Sequence, residues 1–159
     1  MRILVTGASG LLGKTLCPML EQEGFQYWAC NSKIFDVTNT KMVKEIMNKI
    51  SLDFIIHLAG YTNIDLAEDN PQLAYNVNQI GTRNIASMAK KHNIPILYVS
   101  TDNVFDGTSS TPYKTTDTTN PINVYGKSKL LGEKEILKAT KKYYILRTSW
   151  LYGTGGYVD

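Results

Sequence analysis

Cysteine is scarce in this chain of 159 residues: Cys17 and Cys30 are the only two, and their spacing suits neither a metal site nor a disulfide framework. Histidine is as rare, with His57 and His92 far apart, so no metal centre is expected. No stretch is long and apolar enough to cross a bilayer. The opening MRILVTG enters a strand at once, without the basic region, apolar run and cleavage site of an export signal. Charge is not massed either: the net value is +3 and the lysines are spread. Lys90, Lys91, Lys138, Lys141 and Lys142 fall near the ends of expected helices, where positive charge suits the macrodipole. No nucleic-acid or membrane partner is therefore expected, and the cytoplasm is the expected compartment.

What is present is an alternation of strand and helix patterns. Residues 2–6 form an apolar run of the buried parallel type. Gly7, Gly10 and Gly13 follow, then the helical pattern of Leu12, Leu16, Met19 and Leu20. Glycines at a strand-to-helix turn allow backbone to approach a pyrophosphate, whose charge the helix N–H groups then face. The spacing is G-x-x-G-x-x-G and not the general G-x-G-x-x-G. Pro18 should kink this helix. Gln26 to Cys30 is the second strand. An acid at its end would bind an adenosine ribose and disfavour a 2′-phosphate. Here Asn31-Ser32-Lys33 offers no carboxylate and one cation, which favours NADPH, with NADH and a plain surface lysine as the alternatives.

Asp36 and Val37 precede a helix with Met42, Val43, Ile46, Met47 and Ile50 on one face, capped by Thr38 or Asn39. Residues 53–58 are the third strand, with His57 expected as a packed core side chain. The strand leads into Ala59-Gly60-Tyr61, small enough at first to let a ligand pass. Asn70-Pro71 reads as cap and first position of a helix running through Ala74, Val77, Ile85 and Met88 to about His92. Residues 94–100 are the fourth strand and deliver Thr101 and Asp102. The polar stretch 106–120 is either a mobile surface loop or a rim over a substrate pocket. Asn120-Pro121 opens a helix with Leu130, Leu131, Ile136 and Leu137 along its apolar side. Residues 143–149 are the fifth strand, and Gly153-Thr154-Gly155-Gly156 comes after Trp150. The pattern predicts one α/β domain over residues 1–159. Its fold is a Rossmann-like, doubly wound parallel sheet of order 3-2-1-4-5 with helices on both faces.

Tyr125 and Lys129 stand four apart on the last helix and so share a face. A phenol titrates near ~10, and a neighbouring ammonium lowers that value toward neutrality. The pair occurs readily by chance in a chain rich in Tyr and Lys. Its weight comes from Thr101 and the glycine loop, which the topology brings to the same edge.

With the glycine loop, this set resembles the extended short-chain dehydrogenase/reductase superfamily. Within it, residues 100–107 (STDNVFDG), 125–133 (YGKSKLLGE) and 147–150 (RTSW) are similar to the dTDP-4-dehydrorhamnose reductases, as are Ala59-Gly60-Tyr61-Thr62 with Asp65, Ala67 and Glu68. The resemblance implies reduction of the 4-keto group of dTDP-4-dehydro-L-rhamnose by NAD(P)H. Tyr125 would then be proton donor, Lys129 its activator and nicotinamide-ribose ligand, and Thr101 a hydrogen-bond donor to the carbonyl. It further implies that Gly7, Ser9, Gly10, Leu11 and Leu12 cradle the pyrophosphate, that Asp36 and Val37 flank the adenine, and that Ala59, Gly60 and Tyr61 lie along the cofactor. Asp102 and Trp150 would line the sugar pocket, Trp150 having a core-edge aromatic as its structural alternative. The chain departs from the family at Asn103, usually tyrosine, and at Thr115, usually glutamate. It also ends early, so the C-terminal substrate-binding region is expected to be absent. Two other readings stay open: a non-catalytic NADP-binding regulatory subunit, like that of methionine adenosyltransferase, and a nucleotide-sugar epimerase or dehydratase. A homodimer through helices 71–92 and 121–140 is expected by analogy with the superfamily.

Overall fold

Strand β1 (Arg2–Thr6) sends alternate side chains to opposite faces and buries both sets. Ile3 and Val5 pack with Cys17 and Leu20 of helix α1 (Leu11–Gln22). Leu4 packs on the other side with Val43 and Met47 of α2 (Thr40–Lys49), Ile85 and Met88 of α5 (Thr82–Lys91) and Ile136 of α6 (Val124–Ala139). Two shorter helices, α3 (Ile64–Asp69) and α4 (Pro71–Tyr75), lie between the sheet's third strand and α5 in the chain. These positions come from a computed structural model, which describes residues 1–153. Thr154, Gly155 and Gly156 of the glycine-rich ending lie outside the described residues.

The remaining strands are β2 (Gln26–Cys30), β3 (Phe54–His57), β4 (Ile96–Thr101) and β5 (Tyr143–Thr148), and every pairing is parallel. The doubly wound parallel class is as expected, but the order is β2-β1-β3-β4-β5 and not 3-2-1-4-5. Side chains explain the correction. Asp53 accepts hydrogen bonds from Arg2 N at 2.7 Å and Arg2 Nη2 at 2.9 Å, and Thr6 Oγ1 meets His57 Nδ1 at 2.7 Å. Both ends of the third strand are thus tied to β1. The strand FIIH is apolar enough for an interior place, whereas QYWAC is mostly exposed and takes the edge.

Local signals account for the helix ends. Asn39 Oδ1 caps α2 through Met42 N, and Asn70 Oδ1 caps α4 through Leu73 N with Pro71 at the first helical position. Pro18 sits inside α1 without ending it. The expected helix 71–92 is a rod in three parts, with a π-helical stretch at Asn76–Gly81 between α4 and α5. Helix α6 begins at Val124 with Asn123 as cap, later than the Asn120-Pro121 start expected. Asn120 instead donates to Asp106 Oδ2 at 3.0 Å. The apolar side expected for α6 is also corrected. Leu137 is exposed, Leu130 and Leu131 are half-buried, and the face turned to the sheet carries Gly126, Ser128, Lys129, Gly132, Glu133 and Ile136.

His57 is a packed core side chain, as expected: wholly buried, stacked on Tyr98 at 5.5 Å, and bonded to Thr6 and to Thr82 Oγ1 at 3.1 Å. Burial, aided by the nearby Lys129 charge, pushes it from 6.5 down to about 3. Below pH 6.5 the unfolded chain therefore binds a proton that the folded chain refuses, so stability present above pH 6.5 falls as the pH drops toward 3. Urea unfolding at pH 7, 6 and 5 should show this component, up to ~1.4 kcal/mol per pH unit. His57→Gln should lack it; equal slopes in the two proteins would contradict a neutral buried imidazole.

Candidate active site

In a parallel sheet the segments that leave the carboxyl ends of the strands all emerge at one edge. The structure brings every segment named from the sequence to that edge: residues 7–12 after β1, 31–37 after β2, 59–61 after β3, 101–103 after β4 and 148–150 after β5.

The loop after β1 is built for close approach. Gly7 has φ +70°, and a Cβ there would lie 2.6 Å from Ala59 N, so only glycine fits between this turn and the segment after β3. Gly10 N donates to Gly7 O at 3.0 Å, and Gly10 then serves as N-cap of α1 without a side-chain cap. The first N–H groups of α1 are thereby left for a ligand or water. Ser9 is exposed, and Leu11 and Leu12 are half-buried. These features fit an anionic dinucleotide pressed against backbone.

After β2, Asn31 Oδ1 accepts from Lys33 N at 2.9 Å and from Ile34 N at 3.3 Å, which pins the turn and leaves the amide nitrogen as its outward group. Asp36 Oδ1 is likewise engaged, by Thr38 N and Oγ1 at 2.9 and 2.8 Å. Val37 is buried, its carbonyl held by Asn84 Nδ2 at 2.9 Å.

Thr101 is buried at the end of β4, where Oγ1 accepts from Asn103 N and Nδ2, both at 3.2 Å, and donates to Asp102 Oδ1 at 3.1 Å. Asp102 itself is exposed, in the single 3₁₀ turn Asp102–Val104. That turn meets the start of α6. A Cβ on Gly126 would collide with Asn103 O, and Asn123 Nδ2 donates to Asn103 Oδ1 at 2.9 Å. Thr101 and the half-buried Tyr125 are thus anchored to one junction, and Tyr125 lies near enough to Tyr98 to oppose ionisation of that buried phenol. Lys129 is buried one turn on. Nζ donates to Val99 O at 2.6 Å, sits 4.1 Å from the Tyr98 ring centroid, and would be 3.7 Å from a Cβ on Gly60. Desolvation pushes its ammonium down from 10.5 to about 7, while Glu133 pulls the other way. Trp150 is 93 % exposed in this chain, with φ +49°.

Several residues that matter here were given no role from the sequence. Asn78, in the π stretch, is fully buried. It accepts from Tyr61 N at 2.8 Å and donates to Tyr61 O at 3.0 Å and Ser128 Oγ at 2.9 Å. It clips the 59–61 segment to α6, and an amide four residues after Ala74 in the helical pattern was its one signal in the sequence. Glu133 and Arg147 form a bidentate pair at 3.0 and 2.8 Å, and Ser100 Oγ donates to Glu133 Oε1 at 2.5 Å. Arg147 also lies over the Phe105 ring, which stacks on Tyr113 at 4.2 Å. Tyr113 Oη donates to Asp106 Oδ1 at 2.9 Å, and Thr108 and Asn120 donate to the same carboxylate. These bonds hold the Asp106 carboxyl well below the usual range. Side-chain bonds within stretch 106–120 thus tie it to itself around Asp106.

The strand order, crossovers and glycine turn define a Rossmann-like fold. The chain matches the family described as RmlD substrate binding domain over residues 1–157 and belongs to it. It is 44% identical over 156 residues to a dTDP-4-dehydrorhamnose reductase from Aggregatibacter actinomycetemcomitans, covering 98% of this chain and 53% of that protein. The solved dTDP-4-dehydrorhamnose reductase of Clostridium acetobutylicum superposes with a TM-score of 0.96 at 37% identity, covering 99% of this chain and 56% of that one. That of Bacillus anthracis, in complex with NADP, gives 0.92 at 40% identity, covering 95% and 54%. The chain thus spans about half the length of the curated relatives it matches. No helix among the described residues is long and apolar enough to cross a membrane.

Asn78→Ala would remove three hydrogen bonds, the buried one to Ser128 and the two part-buried ones to the Tyr61 backbone. A loss of roughly 2–3 kcal/mol in urea unfolding is expected; a loss under about 0.5 kcal/mol would mean that the clip bears no strain.

Proposed function

We propose that this chain is the cofactor-binding half of an NADPH-dependent reductase that converts the 4-keto group of dTDP-4-dehydro-L-rhamnose to the hydroxyl of dTDP-L-rhamnose in the cytoplasm. The observation that carries the reading is the convergence of the Gly7–Leu12 turn, Lys129 beneath Gly60, and the Thr101–Tyr125 junction at one sheet edge. Its support includes the reductases to which the chain is similar over nearly its whole length. A purely regulatory nucleotide pocket has no use for a buried ammonium one turn from a phenol.

Gly7, Ser9, Gly10, Leu11 and Leu12 would hold the pyrophosphate, Asp36 and Val37 the adenine, and Ala59, Gly60, Tyr61 and Lys129 the nicotinamide half. When bound, the nicotinamide supplies the hydride. Thr101 Oγ1 is fixed by its two donors from Asn103, so its own proton is free to turn from Asp102 to a substrate carbonyl. Tyr125 delivers the proton that the developing alkoxide needs, and a charged Lys129 favours the resulting phenolate. Asp102 and Trp150, both exposed at the same edge, would face the sugar. Two copies would pair through the rod from α4 to α5 and through α6, the expected helices 71–92 and 121–140.

NADPH is the proposed cofactor, with NADH as a weaker substitute, because the Asn31 amide and exposed Lys33 present donors and no carboxylate. Asn31→Asp keeps the acceptor that pins the turn and replaces the amide donor with a charged oxygen, so it should move preference toward NADH. Equal loss of both cofactors in a fluorescence titration would show that this turn does not meet the ribose.

Tyr125→Phe should lower turnover by ~10²–10⁴-fold while NADPH affinity stays within a few-fold. The measurement is NADPH absorbance with dTDP-4-dehydrorhamnose, using this chain and a form extended to the length of its relatives. Undiminished turnover would remove Tyr125 from the proton step.

A further inference from the structure

Lys129 is a buried cation whose charge the proposed chemistry needs, and desolvation works against that charge. The groups facing it are Tyr125 and Glu133 on its own helix, Tyr98 on β4, His57 on β3, and Arg147 on β5 by way of Glu133. Of these, Glu133 is the one anion. It is buried on the same face of α6, one turn beyond Lys129, and all its acceptor bonds come from below the site: Ser100 on β4 and the guanidinium on β5.

We propose that Glu133 and Arg147 act as a charge-setting pair for the site, Glu133 keeping Lys129 Nζ protonated and Arg147 fixing Glu133 in place between α6, β4 and β5. Neither residue touches the reacting groups; both are positioning residues. The inference rests on the reading of Lys129 as a working part of the cofactor site, and it extends that reading to two residues the motif logic left without a role.

The reasoning follows from which group can give up a proton. With Glu133 in place the cluster holds two cations, the buried Lys129 and the half-buried Arg147, and one anion. Removal of the carboxylate charge leaves the buried Lys129 without its one anionic neighbour among these groups, while Arg147 stays charged on β5. Arginine does not deprotonate in such settings, so the relief must come from Lys129. Removal of the guanidinium instead leaves Glu133 with Lys129 as its only cationic neighbour among these groups, and the ammonium is then held more firmly. The two changes act on Lys129 in opposite directions. A pair that only braced the fold would disturb the lysine in the same direction whichever member was cut.

The test is ¹³C NMR of the protein grown on lysine labelled at Cε, whose shift follows protonation of Nζ. Lys129 is assigned by the resonance missing in Lys129→Arg. In the unaltered protein that resonance should titrate near pH 7. Glu133→Gln should lower the midpoint by about one pH unit or more, Arg147→Met should raise it, and the double variant should return it toward the starting value. Glu133→Asp, which keeps the charge, should restore most of the original behaviour. Circular dichroism verifies folding in each case. If Glu133→Gln does not fold, the rise in Arg147→Met and the near-normal midpoint in Glu133→Asp decide the matter alone. Midpoints that move the same way in both single variants, or not at all, overturn the proposal. NADPH titration of the unaltered protein is a separate arm: failure to bind there defeats the functional reading, while the NMR pattern still supports or refutes the charge-setting pair.

Discussion

A helix can approach a sheet closely only where its facing side chains are small or can bury polar ends in partners. Helix α6 meets that condition along its inner face from Gly126 to Glu133. Gly126 abuts Asn103 O, Gly132 abuts the Tyr98 hydroxyl and Asn78 O, and Ser128, Lys129 and Glu133 each find a partner on a neighbouring element. This near contact is what the rest of the site depends on. Larger residues at 126 or 132 would push the helix outward, separating Thr101 from Tyr125 and lifting Nζ of Lys129 off Val99.

A helix packed through polar groups in this way has a different energetic character from one packed through leucines. Its buried bonds add little net stability while they are made, but breaking any single one leaves a stranded polar group. The inner face of α6 is therefore selective about geometry more than it is strong. Most of the apolar burial sits elsewhere, in the cluster of Leu4, Val43, Met47, Ile55, Ile85 and Ile96 on the same side of the sheet. The site is placed by polar matching on a frame held together by that cluster.

Much of this was legible in the sequence. Apolar runs gave the five strands nearly to the residue, and the glycines at 7, 10 and 13 located the turn into α1. Asn39 and Asn70 announced their helices because a cap is a local event. Strand order was misjudged because the ties that put β3 beside β1, Arg2 with Asp53 and Thr6 with His57, join residues 51 apart. The apolar face of α6 was misjudged because leucines at 130, 131 and 137 suggested a greasy stripe, whereas close packing demanded glycine and serine. The roles of Asn78, Glu133 and Arg147 were hidden for a related reason. Each is an ordinary polar residue in its own segment, and only the fold reveals that it is bonded to another element, Asn78 and Glu133 out of reach of water.

The π-helical stretch Asn76–Gly81 has a consequence for how this chain can vary. Such a turn holds one residue more than the α-helical turn it replaces. Loss of any one residue there would let the rod relax to an unbroken α-helix. Both flanking helices would keep their phase, because the π turn fits its extra residue into nearly the same rotation as the α-helical turn. Ile85 and Met88 would stay in the core, and what would change is which side chain stands in the widened turn where Asn78 now clips Tyr61. The widened turn thus admits one more polar side chain to the inner layer without disturbing the apolar packing on either side of it.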